Sequence, residues 1–110
     1  MDMKALSDDV IASLAALKPD KIVLFGSYAS GEAKEGSDVD LFLVKKGLRK
    51  EEVRDYEKEA ARRLIGLVRK YKVGFDVLSA PFSALTERDD HFIRVDILQH
   101  GKVLYERNGG

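Results

Sequence analysis

The sequence has 110 residues, of which 45% are hydrophobic, so we expect one domain, residues 1–110, with a single apolar core. The absence of cysteine excludes disulfide bonds and thiolate metal ligands and fits a reducing, cytoplasmic location. The 19 basic and 19 acidic side chains cancel, so direct nucleic-acid binding through a surplus of positive charge is not expected. No apolar run approaches the roughly 20 residues of a membrane span, and the acidic N-terminus is unlike a signal peptide.

The first predicted elements are a helix and a strand. Apolar residues recur at helical spacing from Lys4 to Leu17, and Pro19 ends the pattern. Such a stripe usually faces the protein's own core, so this helix is expected to pack on a sheet. The apolar run Lys21–Phe25 predicts the first strand, which stops at a Gly26-Ser27 turn followed by a short helix.

The second predicted strand, Asp38–Val44, begins with two carboxylates. Because alternate side chains of a strand share a face, Asp38 and Asp40 point to the same side, with Cα atoms roughly 6.5 Å apart. Carboxylates at this spacing can hold one hard cation or bridge a pair of cations. Phe42 and Val44 continue the same face, whereas the opposite face is wholly apolar. The strand therefore predicts a metal site at its polar end.

The glycine turn before this strand is suited to phosphate. Gly26 lets the backbone turn sharply and approach a ligand closely. Ser27 adds a hydroxyl beside main-chain N–H groups where a short helix begins, which is a favourable place for phosphate. A phosphate cradle beside a metal-binding pair predicts a nucleotide site.

The second half of the chain predicts a long helix, a third strand and further helical structure. Glu51–Tyr71 has apolar residues at three- and four-residue steps, and its charged face is interpreted mainly as solvated, with a partner or RNA surface left open. Val73–Leu78 predicts a strand in which Asp76 interrupts an apolar run, where an ionised carboxylate is costly unless it is paired or bound to metal. Ser83–His100 reads as helical in two pieces, and Val103–Tyr105 as an edge strand.

The spacing Gly26-Ser27, ten residues, then Asp38-Val39-Asp40 resembles the signature of the DNA-polymerase-beta-type nucleotidyltransferase superfamily. The flanking Phe-Gly-Ser-Tyr-Ala-Ser-Gly and Ser-Asp-Val-Asp-Leu resemble its minimal nucleotidyltransferase (MNT) branch, and the similarity extends from about Lys21 to Tyr105. The resemblance implies an α/β (α+β) nucleotidyltransferase fold, a small mixed β-sheet with helices packed on one face. Because such a sheet leaves its catalytic face open, a homodimer or a complex with a partner is expected. Taken alone, Asp76 could equally be a salt-bridged structural residue; the resemblance makes it the third catalytic carboxylate.

The resemblance also implies the site and its chemistry. Asp38, Asp40 and Asp76 would be the catalytic and metal-binding residues, and Gly26, Ser27 and Ser37 would bind the nucleotide. Two Mg²⁺ ions would assist the transfer of AMP from ATP to a hydroxyl, with release of pyrophosphate. Many relatives carry Arg where this chain has Ser30, so one phosphate contact is missing.

The acceptor of the AMP is the open question. MNT proteins are often encoded beside a HEPN-domain protein and act as its antitoxin, so the expected partner is a HEPN toxin whose hydroxyl is adenylylated. A transferase acting on a small molecule such as an aminoglycoside is the first alternative, although it normally needs an additional helical domain. A non-catalytic antitoxin that acts by contact alone is the second, but it would have no need of three converging acids.

Overall fold

A four-stranded mixed sheet forms the centre of the computed structural model. Its strands are β1 (Lys21–Phe25), β2 (Val39–Val44), β3 (Phe75–Ala80) and β4 (Lys102–Glu106), in the spatial order β3-β2-β1-β4. β1 is antiparallel to both β2 and β4, whereas β2 and β3 are parallel. This confirms the mixed sheet and the edge position of the last strand. The structure describes residues 2–81, 97 and 100–107, so most of the helical region predicted for Ser83–His100 lies outside the described residues.

The described helices are α1 (Met3–Leu14), α2 (Ser27–Ser30), α3 (Val53–Arg63) and α4 (Ile65–Tyr71), with short 3-10 helices at Ala15–Leu17 and Lys50–Glu52. Asp2 caps α1, because its carboxylate accepts the backbone N–H groups of Lys4 and Ala5 at 3.0 and 3.2 Å. The predicted first helix is thus α-helical only as far as Leu14 and tightens into 3-10 geometry before the chain turns at Lys18. No helix in the described part of the chain is long and apolar enough to cross a membrane.

The single long helix predicted for Glu51–Tyr71 is wrong, because the segment forms two helices separated at Leu64. The N–H of Leu64 is shared between the C=O groups of Ala60 and Ala61, at 3.2 and 3.1 Å. This tightens the last turn of α3. Leu64 is fully buried, so the turn keeps its side chain in the core.

The described helices α1 to α4 cover one face of the sheet, as expected. The buried side chains of this layer are Leu6, Val10, Leu14, Ile22, Leu24, Ala29, Val39, Leu41, Leu43, Ala60, Leu64 and Leu67. The opposite face carries a second buried cluster that contains Val23, Phe25, Phe42, Val44, Ala80 and Ile97. Because Phe42 and Val44 are only 3% and 1% exposed, the expectation of an open catalytic face is wrong for the middle of the sheet. On the outer strands this face stays partly open, because Leu78 of β3 and Val103 of β4, the neighbours of Phe42 and Val23, are 39% and 53% exposed. The end that carries Asp38 and Asp76 is exposed as well.

The third strand lies two residues later than predicted. Lys72 has a left-handed conformation, with φ of 56°, which ends α4 and leaves Val73 and Gly74 as the connection rather than as strand residues. The strand continues through Ala80 and stops at Pro81, which has no N–H for further pairing. The second strand likewise begins at Val39, one residue later than predicted.

Side-chain hydrogen bonds connect α3 to the sheet and α1 to α4. Oε2 of Glu57, on α3, accepts the backbone N–H of Ser79 at 2.6 Å and its hydroxyl at 3.1 Å, and so occupies part of the outer edge of β3. On α1, Asp9 accepts the hydroxyl of Tyr71 at 2.6 Å and the ammonium of Lys70 at 2.8 Å. Hydrogen bonds from Lys70 and then Tyr71 hold the pKa of Asp9 below its ordinary value.

Candidate active site

Parallel pairing of β2 with β3 places Asp40 and Asp76 on the same rung of the sheet. Asp38 directly precedes β2 and is two residues from Asp40, as in the predicted pattern. Asp40 is half-buried, whereas Asp38 and Asp76 are exposed. Asp76 therefore does not interrupt a buried run, because β3 lies at the edge of the sheet that the described residues form. The structure brings the three predicted carboxylates together at one end of the sheet.

Asp40 has a pKa above its ordinary value. Burial raises the pKa of Asp40, and the negative charges of Asp76 and then Asp38 raise it further. A hydrogen bond between the Asp40 and Asp76 side chains acts in the same direction. The site therefore concentrates negative charge that a bound cation would neutralise.

The three carboxylates fit a hard divalent cation in charge and in donor type, since Mg²⁺ prefers carboxylate oxygens. Within residues 2–81, 97 and 100–107, however, no three His, Cys, Asp or Glu side chains lie close enough together to form a finished metal site. Asp38 and Asp76 are exposed, so their side chains have room to change rotamer. The donors are adjacent, but their ligand geometry is not preformed.

Gly26 lies against the half-buried carboxylate. It directly follows β1, whose last residue, Phe25, is paired with Asp40. Its φ of 73° and ψ of −153° are accessible to glycine and strained for other residues. A Cβ at Gly26 would in addition overlap Oδ2 of Asp40. Glycine is thus required here both by the backbone and by the space that Asp40 occupies.

The turn after Gly26 forms the short helix that the sequence predicted. The C=O of Gly26 accepts the N–H groups of Ala29 and Ser30, both at 3.1 Å. Ser27 is half-buried at the first position of α2, and Gly26 itself is exposed. The exposed glycine backbone is therefore accessible at the same end of the sheet as Asp40.

Ser37 has a structural contact that the sequence did not indicate. Its Oγ accepts the backbone N–H of Lys34 at 2.9 Å, and its own N–H donates to the C=O of Lys34 at the same distance. Both groups stabilise the turn that leads into Asp38. Nucleotide binding by Ser37 stays a prediction.

Gly74 is a residue of this site that the sequence analysis did not single out. Its C=O accepts the N–H of Val39 at 2.8 Å, which places it beside the start of β2. A Cβ built on Gly74 would lie 2.5 Å from Oδ1 of Asp38. An isolated glycine inside a predicted strand, as in Val73–Leu78, often marks a close approach of another group, and that signal could have found it.

Residues 9–109 match the family described as polymerase beta, nucleotidyltransferase. The chain therefore belongs to the polymerase-beta-type nucleotidyltransferase family, which confirms the resemblance seen in its Gly-Ser and Asp-x-Asp motifs.

Two proteins of Methanocaldococcus jannaschii, each named "Putative protein adenylyltransferase", are similar in sequence. One is 31% identical over 87 residues, and the alignment covers 79% of this chain and 58% of that protein. The other is 35% identical over 71 residues, and the alignment covers 64% of this chain and 65% of that protein. The chain thus spans about three fifths of the length of these relatives.

Two crystal structures of toxin–antitoxins share the fold. One contains AMP-PNP and superimposes with a TM-score of 0.61 at 20% identity, covering 93% of this chain and 74% of that one. The other is a mutant of the MntA–HpeT pair, with a TM-score of 0.59 at 17% identity and the same coverage. At these identities the similarity establishes the fold, and it agrees with the predicted mixed sheet covered by helices.

Proposed function

We propose that this chain is a Mg²⁺-dependent nucleotidyltransferase that moves AMP from ATP to a hydroxyl group of a partner protein. The observation that carries the proposal is the Asp40–Asp76 rung, with Asp38 beside it and the Gly26 turn against it. Membership of the nucleotidyltransferase family supports the reaction type. The names of the two archaeal relatives support a protein as the acceptor.

ATP would bind with its triphosphate across the Gly26-Ser27 turn. Gly26 is exposed and has no side chain, so a phosphate can approach its backbone closely. Asp38, Asp40 and Asp76 would hold one or two Mg²⁺ ions, which when bound neutralise phosphate charge and lower the pKa of an incoming hydroxyl. Burial and then repulsion from Asp76 and Asp38 raise the pKa of Asp40, and this supports the assignment, because a bound cation would relieve the repulsion.

Asp76 is the candidate general base for the acceptor. It is exposed on the edge strand β3, where a hydroxyl of a second molecule can reach it. The acceptor oxygen would lose its proton to Asp76 and form a bond to the α-phosphorus of ATP. The bond from that phosphorus to the bridging oxygen would break, so that pyrophosphate leaves and AMP stays on the acceptor.

We further propose that the acceptor is a HEPN-domain toxin and that this chain acts as its antitoxin in the cytoplasm. The structural neighbours support this, since both are toxin–antitoxins and one was crystallised with AMP-PNP, an analogue of ATP. The HEPN class of the partner follows from the MNT resemblance of the nucleotide motif. Adenylylation would add a bulky anion near the toxin's active site.

The test is intact-mass analysis of a candidate HEPN partner after incubation with this protein, ATP and Mg²⁺. We expect a mass gain of one or more adenylyl units, and we expect its loss with Asp38→Asn/Asp40→Asn and with Asp76→Asn. Asp55→Asn, an exposed position in the first turn of α3, is the matched control that should retain transfer.

Three results would contradict the proposal in different ways. Unchanged transfer by Asp38→Asn/Asp40→Asn would refute the assignment of the carboxylates. Neutralisation of the partner without a mass gain would show that the chain acts by binding alone. Transfer to an aminoglycoside but not to the partner would show a small-molecule enzyme.

A further inference from the structure

We propose that Gly74 is a positioning residue, which keeps free the space that the carboxylate of Asp38 occupies. The inference rests on the proposed function, because Asp38 is one of the carboxylates assigned to metal binding there. Gly74 belongs neither to the Gly-Ser turn nor to the Asp-x-Asp motif. It lies in the connection between α4 and β3.

A backbone hydrogen bond holds Gly74 beside the start of β2. The N–H of Val39 donates to the C=O of Gly74 at 2.8 Å, immediately before the first paired residues of the two strands, Val39 and Phe75. Because this bond begins the parallel ladder, Gly74 cannot move away from Asp38 without loss of pairing between β2 and β3.

The space next to Gly74 is filled by one side chain. The three atoms nearest to an added Cβ all belong to Asp38, namely Oδ1 at 2.5 Å, Cγ at 3.3 Å and Oδ2 at 3.9 Å. Contacts below about 3 Å are repulsive for carbon and oxygen, so a methyl group and this carboxylate position exclude each other. Gly74 therefore determines where the Asp38 carboxylate can lie.

The backbone gives no other reason for glycine at this position. Among the glycines that the structure describes, those with positive φ are Gly26, Gly31, Gly36 and Gly47, and Gly74 is not one of them. Alanine at position 74 would consequently meet no backbone strain, in contrast to alanine at Gly26. The single expected effect of Gly74→Ala is displacement of the Asp38 carboxylate.

Gly74→Ala should therefore change metal–nucleotide affinity without changing the stability of the fold, and this difference can be measured. Asp38 is exposed, so its side chain can rotate away from a new methyl group at little cost to the fold. The methyl group thereby excludes one position from which the Asp38 carboxylate could complete the metal site. We expect Gly74→Ala to melt close to the wild type and to bind Mn²⁺–AMP-PNP roughly 10-fold to 100-fold more weakly, the range for residues that orient metal ligands.

The experiment is isothermal titration calorimetry of the purified chain with Mn²⁺–AMP-PNP, combined with thermal melts of the protein without metal. Gly66→Ala is the matched control, because a Cβ there meets nothing within 4 Å and lies on helix α4. A second arm repeats Gly74→Ala in an Asp38→Asn background. If Gly74 acts through Asp38, its effect on affinity should largely vanish there.

Four results would overturn the assignment of Gly74 as the residue that positions Asp38. Binding by Gly74→Ala that equals that of Gly66→Ala would refute the inference and leave the proposed function intact. Loss of the folded state in Gly74→Ala would also refute it, because the predicted change is confined to one flexible carboxylate. An equal loss of affinity with and without Asp38 would show that Gly74 acts by another route. Absence of Mn²⁺–AMP-PNP binding by the wild type would instead refute the nucleotide site, and the inference with it.

Discussion

Substitution of Glu57 by alanine tests how the edge strand that carries Asp76 is held in place. Oε2 of Glu57 accepts two hydrogen bonds from Ser79, at 2.6 and 3.1 Å, and both residues are half-buried. The Ser79 N–H faces the outer edge of the sheet, where β3 has no neighbouring strand among the described residues. Glu57→Ala leaves this donor without its acceptor.

The expected loss of stability is about 2 kcal/mol. A hydrogen bond to a charged group contributes roughly 1.5–3 kcal/mol, and an unsatisfied buried donor costs a similar amount. Because Ser79 is half-buried, water can replace part of the lost interaction, so the two bonds together should lie near the lower end of this range. For a chain of this size, about 2 kcal/mol corresponds to a fall in Tm of roughly 8 °C.

Thermal and urea denaturation of the protein would measure this loss, and amide hydrogen exchange at Ser79 would locate it. Glu57→Gln keeps one acceptor oxygen without the charge, so its loss should be about half that of Glu57→Ala. Lys58→Ala changes an exposed side chain on the same helix and should stay within about 0.5 kcal/mol of the wild type. A Glu57→Ala protein as stable as Lys58→Ala, with unchanged exchange at Ser79, would refute the reasoning.

Three further predictions concern the carboxylates and the glycine turn. Asp40→Asn should raise the Tm of the protein in EDTA at pH 7. The native pKa of Asp40 is raised above its unfolded value, so the native protein loses stability as the pH rises from the unfolded to the native pKa of this group, and the gain from Asp40→Asn should disappear in acid. An unchanged or lower Tm at pH 7 would contradict this. Asp9 should have the opposite effect on stability, because its native pKa is lowered, chiefly by the hydrogen bond from Lys70. The stability that Asp9 contributes is present above about pH 4 and is lost as the pH falls through its native pKa. Thermal melts of Asp9→Asn should lack this acid-dependent loss. Gly26→Ala should cost roughly 1–3 kcal/mol through its positive φ and should abolish AMP-PNP binding measured by calorimetry; binding at wild-type affinity would exclude a role of the turn in phosphate contact.

The sequence alone determined the local elements of the site. The apolar run Lys21–Phe25 ended where Gly26 interrupts it, and β1 has those bounds. A period of two predicted that Asp38 and Asp40 share one face of the second strand with Phe42 and Val44. Phe42 and Val44 do lie together, in the second buried cluster. These features depend on neighbours within a few residues, so the pattern of side chains is sufficient to predict them.

The tertiary structure decided which elements meet and in what register. Periodicity indicates the face on which a side chain lies but not its strand partner, so the rung that joins Asp40 to Asp76 became known only from the parallel pairing of β2 and β3. The same pairing brings Gly74 against Asp38, and the packing of α3 beside β3 brings Glu57 to Ser79. Each of these contacts joins residues more than 20 positions apart, and such contacts depend on how the whole core packs. The sequence therefore determined which residues carry the candidate chemistry, and the fold determined the partners that hold them in place.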